Sequence, residues 1–274
     1  MRLNTVLGIL FLVMYTAFMR AQTAEKKPFE IIKDPTAVAI AETAVNAMGG
    51  QQAILGYQDS LATGTLTIYH GESPTSFPII LKSKGTHETR VEMQMPNGMN
   101  IRIMKEGRAA IQKPDGTVRK LALNNLVGER VGHIPLLSLL AEYQSSKVSL
   151  AFRGSAQVNG QTTKIIALSF VPHADSTQGS FFSSITQTLF YIDNTTGLVD
   201  KIQYENYEQG NSQQHHRTIE EYFTGYQNVG GIVVPFRQTS FDNGKPEDDL
   251  VLKSVTFNVG LADSDFTVPQ GEQR

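Results

Sequence analysis

Residues 233–258 read VVPFRQTSFDNGKPEDDLVLKSVTFN. Two β-rich runs, Val233 to Phe241 and Leu250 to Asn258, flank the dipeptide Asn243-Gly244. An Asn-Gly pair between alternating β-branched and aromatic residues is a strong short-range hairpin signal, because both central positions of a tight hairpin turn need positive φ. The same signal recurs upstream at Asn97-Gly98, Asp115-Gly116 and Asn159-Gly160. Strands are expected over Leu61 to Tyr69, Phe77 to Lys84, Glu88 to Met95, Met99 to Lys105, Arg108 to Lys113 and Val148 to Arg153. They continue over Thr163 to Phe170, Thr186 to Ile192, Val199 to Tyr207 and Thr218 to Gln227, and with the two already quoted they make an antiparallel meander.

Two segments break this pattern. Asp34-Pro35 has the form of an N-cap followed by proline at the first helical position. Val38, Ala41, Val45 and Met48 then fall at helical spacing, and Gly49-Gly50 ends the helix; a short turn is expected over Gln51 to Leu55. From Leu121 to Tyr143 the residues Leu121, Leu123, Leu126, Leu136, Leu137, Leu139, Leu140 and Tyr143 exceed one narrow stripe, which predicts an inserted helical lid buried on more than one side. Strand 189–192 is apolar on both faces, Leu189 and Tyr191 pointing one way and Phe190 and Ile192 the other, so both faces need cover.

Met1-Arg2, an apolar run from Leu3 to Met19, and Arg20-Ala21 have the form of a signal peptide cleaved after Ala21, or of an N-terminal anchor if uncleaved. No later segment is apolar for long enough to span a bilayer. Residues 22–33 are expected to be a tether and residues 34–274 a single β domain. Without residues 1–21 the chain has 22 basic and 26 acidic residues, a net charge of −4, which excludes a polyanion or nucleic-acid binder by bulk charge. It has no cysteine, so disulfides, thiolate metal sites and a lipidated N-terminal cysteine are excluded.

Chemistry-bearing motifs are absent. His70, His87, His133, His173, His215 and His216 show no metal-ligand spacing, and His215-His216-Arg217 with Glu220-Glu221 reads as a solvated hairpin shoulder. Nucleophile-elbow and phosphate-loop patterns are missing. Gly154-Ser155 and Gly179-Ser180 read as turn material. Asp193-Asn194-Thr195-Thr196-Gly197 reads as a hairpin loop with too few carboxylates for calcium. Asp248-Asp249, Asp263 and Asp265 lie in polar segments that place no acid pair across a cleft. No catalytic residue, metal or cofactor is expected.

The helix ending in Ala47-Met48-Gly49-Gly50, the Gly64-Thr65-Leu66 strand, the meander, the leucine-rich insert and the closing run Tyr222-Phe223-Thr224-Gly225-Tyr226-Gln227-Asn228-Val229-Gly230-Gly231-Ile232-Val233-Val234-Pro235 form one pattern. With Asn243-Gly244-Lys245, Val255-Thr256-Phe257-Asn258 and Phe266, it resembles the periplasmic LolA/RseB-like lipoprotein-sorting superfamily over residues 35–269. The resemblance implies a mainly β (α+β) fold: a strongly curved antiparallel sheet forming a half-open barrel, with an N-terminal helix and a helical lid. It implies a periplasmic, non-enzymatic binder or carrier of lipid or lipoprotein acyl chains, or an envelope protein-interaction or sensor module on the same fold. Each buried CH₂ would contribute about 0.8 kcal/mol, so no cofactor is required. Expected ligand contacts are Leu126, Leu136, Leu137, Leu140 and Tyr143 from the lid and Leu189 and Tyr191 from the wall. Arg90 is the implied counterpart of the family's basic residue inside the barrel. The chain departs from the family in its length, in Arg108-Ala109-Ala110 where an aromatic is common, and in having no tryptophan.

Overall fold

The computed structural model describes residues 29–69, 73–85, 88–105, 107–121, 137–171, 178–210 and 213–269. The expected signal peptide, most of the tether, the lid residues 122–136 and His70, His87, His133 and His173 lie outside them.

Helix α1 (Pro35–Ala47) starts as its sequence predicts. The Asp34 carboxylate accepts from the backbone N–H of Thr36 at 2.8 Å and of Ala37 at 3.3 Å, satisfying two donors that a helix start leaves open. Its buried stripe is Ala37, Ile40, Ala41, Ala44 and Val45, so Val38 stands at the margin of the expected face. The three alanines let the backbone lie close on the sheet. Gly49 and Gly50 take φ of 116° and 90°, and α2 (Gln51–Gly56) follows at once.

Among the described residues there are thirteen strands: β1 (Asp59–Ile68), β2 (Thr75–Lys84), β3 (Glu88–Met95), β4 (Gly98–Lys105), β5 (Arg108–Gln112), β6 (Val118–Leu121), β7 (Val148–Val158), β8 (Gln161–Phe170), β9 (Thr188–Asp193), β10 (Val199–Gly210), β11 (Gln213–Val229), β12 (Ile232–Asp242) and β13 (Lys245–Phe257). Strand β6 was not among the expected strands, because in Val-Arg-Lys-Leu two adjacent charges mask the alternation. Leu121, expected in the helical insert, ends it. A 3-10 turn, Leu139–Glu142, lies within the expected lid. Gly179-Ser180 opens a short helix, α3 (Gly179–Ile185), where the sequence suggested only turn material. Asn159-Gly160 and Asn243-Gly244 both have positive φ at the two turn positions, as tight hairpins require.

All strands join one antiparallel sheet in the order β6-β5-β4-β3-β2-β1-β13-β12-β11-β10-β9-β8-β7, left open between β6 and β7. The β7 edge is partly covered. Leu150 N–H donates to the Ile32 carbonyl at 2.7 Å and Asp34 N–H to the Leu150 carbonyl at 3.1 Å, so the last residues of the expected tether add a short parallel rung.

Helix α1 crosses the inner face of this sheet. It begins beside β7 and ends where Val233 N–H donates to the Met48 carbonyl at 2.9 Å, in β12. Five strand spacings are about 24 Å and 13 residues of helix about 20 Å, so the helix can bridge these strands only if the sheet bends around it. One apolar cluster fills the concavity, from Ile79 and Leu81 in β2 through Leu250, Phe223, Ile202 and Phe190 to Leu150 in β7. Tyr57, after α2, donates to the Gly85 carbonyl at 3.1 Å and is hydrogen-bonded to Ser83 of β2 and to Ser138 before the 3-10 turn. It thereby ties the insert to the other wing of the sheet.

Candidate ligand-binding site

Directly paired residues on neighbouring strands share a face. From Phe190, which packs in the main core, the register runs to Ile202, Glu221, Ser240, Asp248 and Ile68 on β10, β11, β12, β13 and β1. This row lies on the inner face and changes midway from apolar to polar. Glu221 is 4% exposed, which corrects its reading as part of a solvated shoulder. Its carboxylate accepts from Tyr204 Oη at 2.8 Å and from Gln238 Nε2 at 3.0 Å. Below lie Phe223, Leu250 and Leu252, all buried. The cluster therefore sits where the apolar interior approaches the open end of the sheet.

Asp248 and Asp249 separate by strand parity. Asp249 turns outward and accepts from Arg237 Nε at 2.9 Å and Nη2 at 3.0 Å. Asp248 turns inward. Burial pushes its carboxyl up to about 6; Glu247 and Asp249 add to the rise, while a hydrogen bond with Ser240 and the charge of Arg102 oppose it. Arg102 belongs to β4, four strands from β13. On a flat sheet about 19 Å would separate them, beyond the reach of a screened charge. Their interaction reports that the sheet curves enough for the inner faces of β4 and β13 to confront each other.

Arg102 pairs in register with Val91 and Ile111, so it shares the inner face with Val91, Leu81 and Met104. Arg90 is in the opposite phase. It pairs with Lys82 across β2, donates to Glu92 at 2.5 Å, and donates to the Asp265 carbonyl at 3.1 Å in the 3-10 turn Asp263–Phe266, which packs over β3 and β4. Lys82 contacts both Glu92 and Asp265. Of these two arginines, Arg102 lies on the inner face, while Arg90 belongs to an ion-pair network outside.

The other expected contacts divide likewise. Leu126 and Leu136 lie outside the described residues. Leu137, Leu140 and Tyr143 are buried in the main core, and Lys33 Nζ donates to the Tyr143 carbonyl. Leu189 and Tyr191 stand on the outer face, opposite to Phe190. There Tyr191 Oη bonds Gln203 at 3.1 Å, and Lys201 Nζ sits 4.4 Å from the Tyr191 ring centroid. The structure brings Leu137, Leu140 and Tyr143 together and sets Leu189, Tyr191 and Arg90 apart from them. The inward acids had a signal in the sequence: Asp248 is in phase with Leu250 and Leu252, and Glu221 with Ile219 and Phe223. Acids in an apolar phase mark a buried polar site.

Among the described residues no group of three or more His, Asp or Glu side chains could hold a metal ion. No described helix is long and apolar enough to cross a membrane.

No protein-family model matches the chain, and no curated protein matches it. Solved structures do. An outer membrane lipoprotein-sorting protein domain from Vibrio parahaemolyticus is similar at 13% identity with a TM-score of 0.56, covering 85% of this chain and 96% of that one. A DUF1329 family protein from Desulfovibrio piger matches at 13% identity and a TM-score of 0.56, over 86% and 98%. A LolA superfamily protein from Nitrosomonas europaea matches at 12% identity and a TM-score of 0.54, over 84% and 97%. The fold is similar to that of the lipoprotein-sorting and LolA-superfamily structures: a curved, half-open antiparallel sheet around helices.

Proposed function

We propose that this protein is a non-enzymatic periplasmic binder or carrier of an amphiphile, taken up on the inner face of its half-open sheet. The observation that carries this reading is the uneven filling of that face. Helices α1 and α2 and the 3-10 turn cover the β7 to β12 side, where Phe190, Leu150 and Ile202 are fully buried. On the β1 to β4 wing the inner-face residues Leu66, Val91, Met93 and Met104 are only half-buried among the described residues. A concave apolar wall with a few polar groups at one end is the arrangement an acyl chain and its head group fit. The likeness to lipoprotein-sorting and LolA-superfamily structures supports a fold compatible with this role. Native mass spectrometry of the protein isolated from an envelope fraction without detergent tests the reading. Bound phospholipid or acylated peptide near one equivalent is expected; a clean apo mass with no uptake of a fatty acyl probe would overturn it.

A second reading, an envelope interaction module, is favoured by one feature. The β7 edge already takes an extended segment in parallel register at Lys33 and Leu150, the geometry by which a partner strand could add to the sheet. Capture of one defined envelope protein by a chain that binds no lipid would favour it.

A further inference from the structure

We propose that Asp248 and Gln238, held by Ser240, Glu221 and Tyr204, form a subsite for the primary-ammonium head group of the bound amphiphile. This inference rests on the amphiphile reading and names the chemistry of its polar end.

Both Glu221 carboxylate oxygens can only accept, so the Gln238 amide must direct Nε2 toward Glu221, where it donates at 3.0 Å. Tyr204 fills the other carboxylate oxygen. The amide is therefore pinned, and its Oε1 is a buried acceptor with no partner. A buried acceptor left open is destabilising, and a ligand N–H would satisfy it. Gln238 and Asp248 are diagonal neighbours on β12 and β13, since Ser240 pairs with Asp248 and Gln238 with Leu250. One ammonium has three donors, enough to meet the Oε1 atom and the Asp248 carboxylate together.

Charge points the same way. On the inner face Glu221 lies one strand beyond Ser240 from Asp248, and Asp248 feels the charge of Arg102. At the adjacent rim Arg217 contacts both Asp242, at 2.6 Å, and Glu247, at 3.0 Å. Asp248 itself is pushed up to about 6 by burial, with Glu247 and Asp249 on its own strand adding to the rise while Ser240 from β12 and Arg102 from β4 oppose it. A cation is the ligand charge that stabilises the ionised form of such a carboxyl, whereas a head group with only anionic oxygens would disfavour it further.

The test compares two pyrene-labelled phospholipids with identical acyl chains, phosphatidylethanolamine and phosphatidylglycerol, titrated into delipidated full-length protein at pH 7.5. The ethanolamine lipid is expected to bind about tenfold more tightly. Asp248→Asn should reduce that preference to within twofold, and Gln238→Met should reduce it in the same direction. Arg237→Ala, on the outer face, should leave both affinities unchanged. The wild-type preference should also fade as pH falls through about 6, where Asp248 takes up a proton. Equal affinity for both lipids, or a preference insensitive to Asp248→Asn, would overturn the subsite while leaving the amphiphile reading intact. Binding of neither lipid would overturn both.

Discussion

Tyr204 on β10 and Glu221 on β11 are joined by a 2.8 Å hydrogen bond with both residues inside the apolar concavity, 6% and 4% exposed. A carboxylate in such surroundings is tolerated only while its oxygens are matched by donors. Tyr204→Phe keeps the ring and removes one donor. It is expected to cost about 2–3 kcal/mol, seen as a lower midpoint of urea unfolding with an unchanged m-value. A loss below about 0.5 kcal/mol would mean that water or another group replaces the phenol.

Asp248 should make stability depend on pH in a direction opposite to that of most paired carboxylates. Its folded-state value, about 6, lies above its ordinary 3.8, so the native state binds the proton more tightly than the unfolded chain. Between those two values stability attributable to this group rises as pH falls, and above about 6 the group is destabilising by about 3 kcal/mol. Asp248→Asn should therefore be more stable than the wild type at pH 7.5 and should lose that advantage by pH 4. Thermal melts of both proteins across this range measure it, and the difference between them cancels the titration of groups that do not interact with Asp248.

Gly49 is the point where α1 meets the β11–β12 turn. A Cβ there would lie 2.2 Å from the Gly231 carbonyl oxygen, and φ is 116°. Gly230 also has positive φ, 60°, but open space around it. Gly49→Ala is expected to cost about 3 kcal/mol or more and Gly230→Ala about 1 kcal/mol. Melting temperatures of the two variants should differ accordingly.

Asp59 holds the chain after β13. Its carboxylate accepts from the backbone N–H of Val259 at 2.7 Å, Gly260 at 3.0 Å and Leu261 at 2.8 Å. Asp59→Ala should destabilise the fold by about 2–4 kcal/mol and release the segment from Val259 to Phe266, read as faster amide exchange there than in β13.

Arg237 and Asp249 supply the contrasting case. Their contact has two good hydrogen bonds, yet the Arg237 side chain is 55% exposed. Arg237→Ala is expected to change stability by less than about 1 kcal/mol, and by less still in high salt.

Much of this architecture was legible in the sequence. Asn159-Gly160 and Asn243-Gly244 announced their hairpins because a two-residue turn is decided by the φ preferences of the residues in it. Asp34-Pro35 announced α1 because capping is a contact over two or three residues. Strand β6 escaped because Arg119 and Lys120 are adjacent charges in a four-residue edge strand. Helix α3 escaped because Gly179, Ser180, Ser183 and Ser184 are weak helix formers, whose conformation depends on packing against β8 and β10. The candidate site was less legible. Glu220-Glu221 and Asp248-Asp249 each look like one polar patch, and only strand parity separates the acid on the inner face from the one on the outer face.

By itself, the sequence determined what local chemistry decides: strand alternation, turn types, the start of α1 and the absence of any thiol. Tertiary structure alone decided which face of each strand became interior, and hence that Arg102 rather than Arg90 lies on the inner face and that Asp248 rather than Asp249 points into the concavity. The reason is physical. Alternation sets relative facing within a strand, but bulges at Thr63/Gly64, Val199/Lys201 and Ser240/Phe241 reset that phase between neighbours. Desolvation and charge then depend on groups that meet only when β1 pairs with β13, about 190 residues away in the chain, and the sheet closes part way around its helices.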